Sequence, residues 1–264
     1  MNLQFTFMIM NNLRIAVIQS DISWKKPSEN LRRYTGMIKV SGNPDLVILP
    51  EMFSTGFTME PEHVKETMDG ESVRWMKMVS GNNNCAVTGS LIIEEQGKIF
   101  NRCLWVTPDG SMEYYDKKHL FTMSGEDRHF TPGNRKLVVN YKGWRICPLI
   151  CYDLRFPVWS RNCEEYDLLI YIANWPSSRH QAWKILLPAR AVENQSWCIG
   201  VNRVGKDGAG LSYKGDSVLV DPKGNADFFG DNDQLRIFEI SFQELMDFRK
   251  KFPVLKDRDE FKLI

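Results

Sequence analysis

Residues 144–157 read WRICPLICYDLRFP. The first seven form an apolar run with the marks of a strand. Cys151 follows at once, and a tyrosine, an aspartate and an arginine come close behind it. Cys151 either fills a core like its neighbours or stands as a nucleophile at a strand end. Runs of the same kind lie on both sides. LRIAVIQ (13–19) is rich in branched residues, and DLVILP (45–50) has the apolar run of a strand covered on both faces. CAVTGSLIIEE (85–95) and KIFNRCLWVTP (98–108) read as two strands joined near Gln96-Gly97, and LVVNY, YDLLIYIAN, WCIGVNRVG, DSVLVDP and QLRIFEISF complete the set.

Helices punctuate these strands. Pro27 opens SENLRRYTGMIKV, where Leu31, Tyr34 and Ile38 recur at helical spacing. ESVRWMKMVS (71–80) suits a helix, and HQAWKILLPARAVENQ (180–195) reads as a long one even with Pro188 inside it. The tail from Gln243 reads as helix and then as polar chain. Many strands, several buried on both faces, with unevenly spaced helices, imply an α/β layered domain. The spacing is too irregular for a barrel of equal units. One sheet would be large for so many strands, so the expected architecture is two packed sheets with helices outside. With no repeat, low-complexity tract or linker, residues 1–264 are expected to form a single domain, with 1–10 as a loose extension or Met10 as the natural start.

Composition narrows the function classes. The chain is 43% hydrophobic and 25% charged, ordinary for a globular protein with a real core. A net charge of +1 gives no broad electrostatic footprint for nucleic acid or an anionic membrane. No apolar run approaches the ~20 residues that span a bilayer. No Lys or Arg precedes the mildly apolar residues 1–10, and Gln4 and Thr6 interrupt them, so a secretory signal is not expected and the cytoplasm is. Cys85, Cys103, Cys147, Cys151, Cys163 and Cys198 lie mostly in strand-like runs and are expected as free thiols. There is no CxxC pair, and His63, His119, His129 and His180 form no metal-binding pattern, so no structural zinc site is expected.

Three polar residues stand where apolar runs stop: Glu51 after DLVILP, Lys117 after MEYYD, and Cys151 after WRICPLI. Strand ends are where layered α/β folds collect catalytic groups. Taken singly, each has a plain structural alternative: a solvated loop glutamate, a surface lysine, a small core hydrophobe. Together they make a chemical set. A thiol is mostly protonated at neutral pH, so a nucleophilic Cys needs a base to take its proton or a cation to steady its thiolate. Glu51 is the candidate base and Lys117 the candidate cation, which also serves a developing oxyanion.

The stretches LVILPEMFSTGF (46–57), YYDKKHLF (114–121), LICYDLRFP (149–157) and IANWPSSRHQAWKILLPARAVENQ (172–195) resemble the nitrilase superfamily of carbon–nitrogen hydrolases. The resemblance runs in order from about Leu13 to about Phe242. It implies a Glu–Lys–Cys triad of Glu51, Lys117 and Cys151. Lys118 is a rival that the KxHLF spacing sets aside. A second glutamate in FTMSGEDRHFTPG is implied, with Glu126 the match and Asp127 its alternative. The Tyr152 backbone N–H would join Lys117 at the oxyanion, and neither metal nor organic cofactor is implied. The implied architecture is a four-layer αββα sandwich of two mixed β-sheets with outer helices. Such chains usually pair, so a homodimer or higher homo-oligomer is expected, with helix 180–195 and the segment after Cys151, Trp159 included, as its contact surface; the alternative is that these aromatics fill the core of their own chain. The stretch FRKKFPVLKDRDEF either crosses a neighbour or stays a solvated tail.

Within the superfamily, CYDLRFPVWSRN and ANWPSSRHQAW are most similar to the omega-amidase branch, which cleaves the terminal amide of 2-oxoglutaramate or 2-oxosuccinamate. The implied partner is thus a small amide carrying a carboxylate. Arg155 and Arg179 are candidates to grip that carboxylate. For Arg155 the alternative is a structural ion pair with Asp153 or Glu193. Phe57 and Trp175 are candidate pocket walls, with core packing as the alternative. Tyr152-Asp153, where true nitrilases carry Trp-Glu, favours amides over nitriles. An N-carbamoyl-amino-acid or other small aliphatic amide hydrolase is the enzymatic alternative. A catalytically inactive binding scaffold of the same fold is the alternative from another class.

Overall fold

The computed structural model describes residues 12–263, so the expectation for residues 1–10 lies outside the described residues. The chain alternates strands and helices: β1 (Leu13–Gln19), α1 (Pro27–Lys39), β2 (Leu46–Ile48), α2 (Glu71–Asn83), β3 (Ala86–Glu95), β4 (Lys98–Val106) and β5 (Met112–Asp116). Then come β6 (Val139–Tyr141), β7 (Trp144–Ile150), α3 (Pro157–Ser160), β8 (Leu168–Ile172), α4 (His180–Asn194) and β9 (Trp197–Val201). The last elements are β10 (Val204–Lys206), β11 (Ser212–Lys214), β12 (Val218–Val220), β13 (Ala226–Phe228), β14 (Gln234–Ile240) and α5 (Phe242–Lys251).

These build two six-stranded mixed sheets, in the orders β14-β1-β2-β3-β4-β5 and β13-β12-β9-β8-β7-β6. The sheets repeat one plan. Three neighbouring parallel strands, β1-β2-β3 in one and β7-β8-β9 in the other, are flanked by antiparallel strands. Alternation along β1 shows the layering. Ile15 and Val17 share a core with Ile146, Ile150 and Ile170 of the second sheet, while Ala16 and Ile18 pack with Leu31, Tyr34 and Ile38 of α1 and Val73 and Met76 of α2. On the far side, Trp183 and Leu187 of α4 lie against Gly200 of β9. The layers therefore run helix, sheet, sheet, helix, the αββα sandwich expected from the sequence.

Several boundaries differ from the sequence reading. DLVILP keeps a strand only over Leu46–Ile48, because Leu49 to Glu51 already turn into the loop that carries Glu51. LVVNY is strand only from Val139. WCIGVNRVG breaks after Val201 and resumes as β10, which pairs with β11, a short strand that the pattern does not announce. The break falls at Asn202 and Arg203, whose buried side chains hydrogen-bond loop carbonyls. Trp159, expected on a subunit contact, belongs to the core of its own chain: it is 6% exposed and its Nε1–H donates to Tyr115 Oη at 3.0 Å. The C-terminal segment is tied down by Arg249, which pairs with Asp167 at 2.7 Å and donates to the Tyr166 and Gln195 carbonyls.

Candidate active site

Sheet ends bring the predicted residues together. Lys117 directly follows β5, Cys151 directly follows β7, and Glu51 lies on the turn after β2. Lys117 is pinned by its backbone: its N–H donates to Asn101 O at 3.0 Å and its carbonyl accepts from Gly133 N–H at 2.9 Å. Cys151 opens a 3-10 turn with φ of +44°, in the left-handed region that non-glycine residues avoid. Such a strained position persists only where its surroundings enforce it. Here Asp153 does so from two residues on. Its buried carboxylate accepts from Ile150 N–H, Tyr115 Oη–H, His119 N–H and the His119 ring.

The three ionisable groups converge below a cleft. Lys117 Nζ lies 2.9 Å from Glu51 Oε1 and 3.0 and 2.9 Å from the two oxygens of Glu126. All three side chains are fully buried. Asn101 bridges the acids, donating from Nδ2 to Glu51 at 2.8 Å and to Glu126 at 3.3 Å. Asn174 fixes Glu51 from the other side, its N–H donating to Oε2 at 2.8 Å and its Nδ2 to the Glu51 carbonyl at 2.6 Å. The Phe121 N–H holds the second oxygen of Glu126. A buried ion pair does little better for stability than apolar packing of equal volume, so stability is a poor reason to bury three charges here. Asp127 is exposed and Lys118 turns toward the Trp159 ring, so the Glu126 and Lys117 readings are the ones this geometry favours.

Electrostatics follow from the packing. Burial alone would pull the Lys117 ammonium down, but Glu126 and Glu51 more than reverse it, and its pKa ends above the ordinary lysine value. Burial, aided by the Glu51 charge and opposed by Lys117, pushes the Glu126 carboxyl up. Burial also pushes the Cys151 thiol well above its ordinary value, and Glu51 adds to this while Lys117 works against it. The resting centre is therefore a charged lysine held between acids beside a neutral thiol.

Above it opens a small cleft. Cys151 and Lys117 form its floor, and Phe57, Trp175, Arg155 and Arg179 line its walls with Tyr152. The structural alternative for Arg155 is not realised. Asp153 is occupied as described, and Glu193 pairs with Arg190 at 3.1 Å. Among the described residues neither Arg155 nor Arg179 has a carboxylate partner. Instead each guanidinium stands on a ring, Arg155 at 5.0 Å from the Trp175 centroid and Arg179 at 4.8 Å from that of Phe121. Residues not singled out from sequence also shape the site: Asn101, Asn174, Phe121, Leu211 and Tyr213. Asn101 carried a usable signal, a carboxamide inside an apolar strand run. Leu211 and Tyr213 carried none, because they reach the cleft from the unannounced β10–β11 hairpin.

Known proteins resemble this chain over most of its length. A family model described as carbon–nitrogen hydrolase matches residues 14–247. The chain is similar to Omega-amidase YafV of Escherichia coli K12, 42% identical over 256 residues that span 96% of this chain and 100% of that protein. It is also similar to the 2-oxoglutaramate amidase of Bacillus subtilis, 31% identical over 250 residues, 92% of this chain and 96% of that one. Among solved structures, a CN-hydrolase superfamily protein of Xanthomonas campestris with an arsenic adduct in its active site superposes with a TM-score of 0.94. It is 42% identical, with 97% of this chain and 100% of that chain covered.

Proposed function

The chain belongs to the carbon–nitrogen hydrolase family, and on that premise we propose that it is an omega-amidase. It hydrolyses the terminal amide of 2-oxoglutaramate or 2-oxosuccinamate to the 2-oxo diacid and ammonia. The observation that carries this reading is a buried Lys117 between Glu51 and Glu126, at the foot of a cleft that also holds a cysteine and two guanidiniums without carboxylate partners among the described residues. Similarity to an omega-amidase and to a 2-oxoglutaramate amidase supports it.

In the proposed reaction Glu51 takes the thiol proton as Cys151 Sγ bonds to the amide carbon. The carbonyl electron pair moves to oxygen, where the Lys117 ammonium and the Tyr152 N–H meet it. Collapse breaks the C–N bond, Glu51 returns its proton to the leaving nitrogen, and ammonia departs. Glu51 then takes a proton from water as its oxygen bonds to the thioester carbon; collapse breaks the C–S bond, and Glu51 returns that proton to the sulfur, freeing the acid and the thiol. Glu126 keeps Lys117 in place and charged. Because the resting thiol is neutral, proton transfer to Glu51 and attack belong to one step, made once substrate fills the cleft and excludes water. Arg155 and Arg179 take the substrate carboxylate, and Phe57 and Trp175 flank its carbon chain. The described residues act as one catalytic unit in a cytoplasmic enzyme, and two copies pair through the faces of α3 and α4.

The test is ammonia release from 2-oxoglutaramate, with glutamine, a carbamoyl amino acid and a simple nitrile for comparison, by the native protein and by Cys151→Ala. Release from the oxo-amide, lost in the variant, is expected. Release only from another compound would keep the nucleophile and overturn the substrate. Release from none would favour a binding scaffold.

A further inference from the structure

A second cleft lies beside the active one, of about 850 Å³ counted to its mouth. The two share three wall residues, Phe57, Ser124 and Leu211, and neither Cys151 nor either guanidinium reaches the outer one. Leu211 is the exposed member of this wall, at 46%, and it sits just before β11. Its position is fixed locally. Asp207, 7% exposed, accepts from the N–H groups of Ala209 and Leu211, both at 2.9 Å, and from Tyr213 Oη–H at 2.7 Å. Arg203 stacks on the Tyr213 ring at 4.7 Å and pairs with Asp21 at 2.8 Å. Trp24 braces both sides of the wall: a Cβ on Gly208 would lie 2.3 Å from its ring, and one on Gly56, beside Phe57, would lie 3.0 Å from it. The hairpin tip and the Phe57 loop are thus wedged against one indole.

We propose that Leu211, with Phe57 and Ser124, is a partition that sets the upper size of the amide the active cleft accepts. Amides lengthened along the acyl chain or substituted at nitrogen are excluded because this wall closes off the neighbouring space. That space is lined by Trp24, Met59 and Ala209 as well as by the Lys25–Glu60 pair. This deepens the amide-hydrolase reading and rests on it for its consequence in turnover, but the wall can be examined without turnover.

The experiment uses the full chain and two variants of opposite effect, Leu211→Ala and Leu211→Phe. Alkylation of Cys151 by iodoacetamide and by a bulkier N-alkyl iodoacetamide is followed by mass spectrometry, and ammonia release is followed for short and extended oxo-amides. A side-chain change of this size is worth about tenfold or more in discrimination. The ratio of bulky to small labelling is expected to rise about tenfold in Leu211→Ala and to fall in Leu211→Phe. The turnover ratio should follow the same order. Labelling ratios that stay level in both variants, each folded by circular dichroism, would overturn the partition. Labelling ratios that move while no amide is hydrolysed would keep the partition and overturn only the amidase reading.

Discussion

The Glu51 carboxylate does two opposing things to Cys151. Its charge raises the thiol pKa, and in the proposed reaction it is also the base that removes that proton. Replacing it with a neutral isostere separates the two effects. Glu51→Gln should lower the amidase rate by about 10²–10⁴-fold, the usual worth of a positioned general base. The same substitution removes a negative charge and leaves Lys117 beside the sulfur, so the thiolate should form at lower pH than in the native protein. A titration of thiolate absorbance against pH, in both proteins, checks this. A thiol pKa that rises in Glu51→Gln would contradict the electrostatic account. At this scale the sequence is most informative, because Glu51 and Cys151 each close an apolar run, Lys117 closes the strand MEYYD, and their chemistry needs one another. It flags Asn101 only as a carboxamide inside an apolar run and does not say what either Asn101 or Asn174 supports, since that role comes from a neighbour distant in the chain, Glu51, 50 and 123 residues away.

Elements decide how firmly such groups are held. Lys117 is the residue after β5, and the chain that follows it returns at Gly133 to close on the same peptide. A Cβ on Gly133 would lie 2.1 Å from the Asp116 carbonyl oxygen, a contact that backbone cannot yield cheaply. Gly133→Ala should therefore lose stability and displace the Lys117 peptide together. Thermal unfolding should show a loss of about 1–3 kcal/mol, the usual cost of overpacking. The amidase rate should fall even below the unfolding transition, and a normal rate in a fully folded variant would refute the coupling between this loop and Lys117. The strands were legible here for a simple reason: long branched runs such as LRIAVIQ and WRICPLI bury both faces and leave little choice of structure. The β10–β11 hairpin was not, because its strands are three residues each and their pairing is set by Asp207 and the turn rather than by hydrophobic pattern.

For the whole molecule, the layered plan follows from strands buried on both sides, but pairing between molecules depends on what stays outside. Trp159 fills the core of its own chain, so the aromatic expected at a contact is not available there. What remains on that face is aliphatic: Val158 of α3 and Ile185 and Val192 of α4 are 52%, 57% and 49% exposed. Apolar side chains left open on neighbouring helices are the composition of a buried interface centre. A pairing through α3 and α4 would also put the Cys151 turn, which leads directly into α3, close to the second copy. Val158→Asp combined with Ile185→Asp places carboxylates in that interface without touching the core. The expected outcome is a native mass of two chains that becomes one in the double variant, measured by light scattering on the eluting protein. A native protein that elutes as a single chain would remove the proposed pairing. A double variant that keeps the native mass would move the contact to another face of the sandwich.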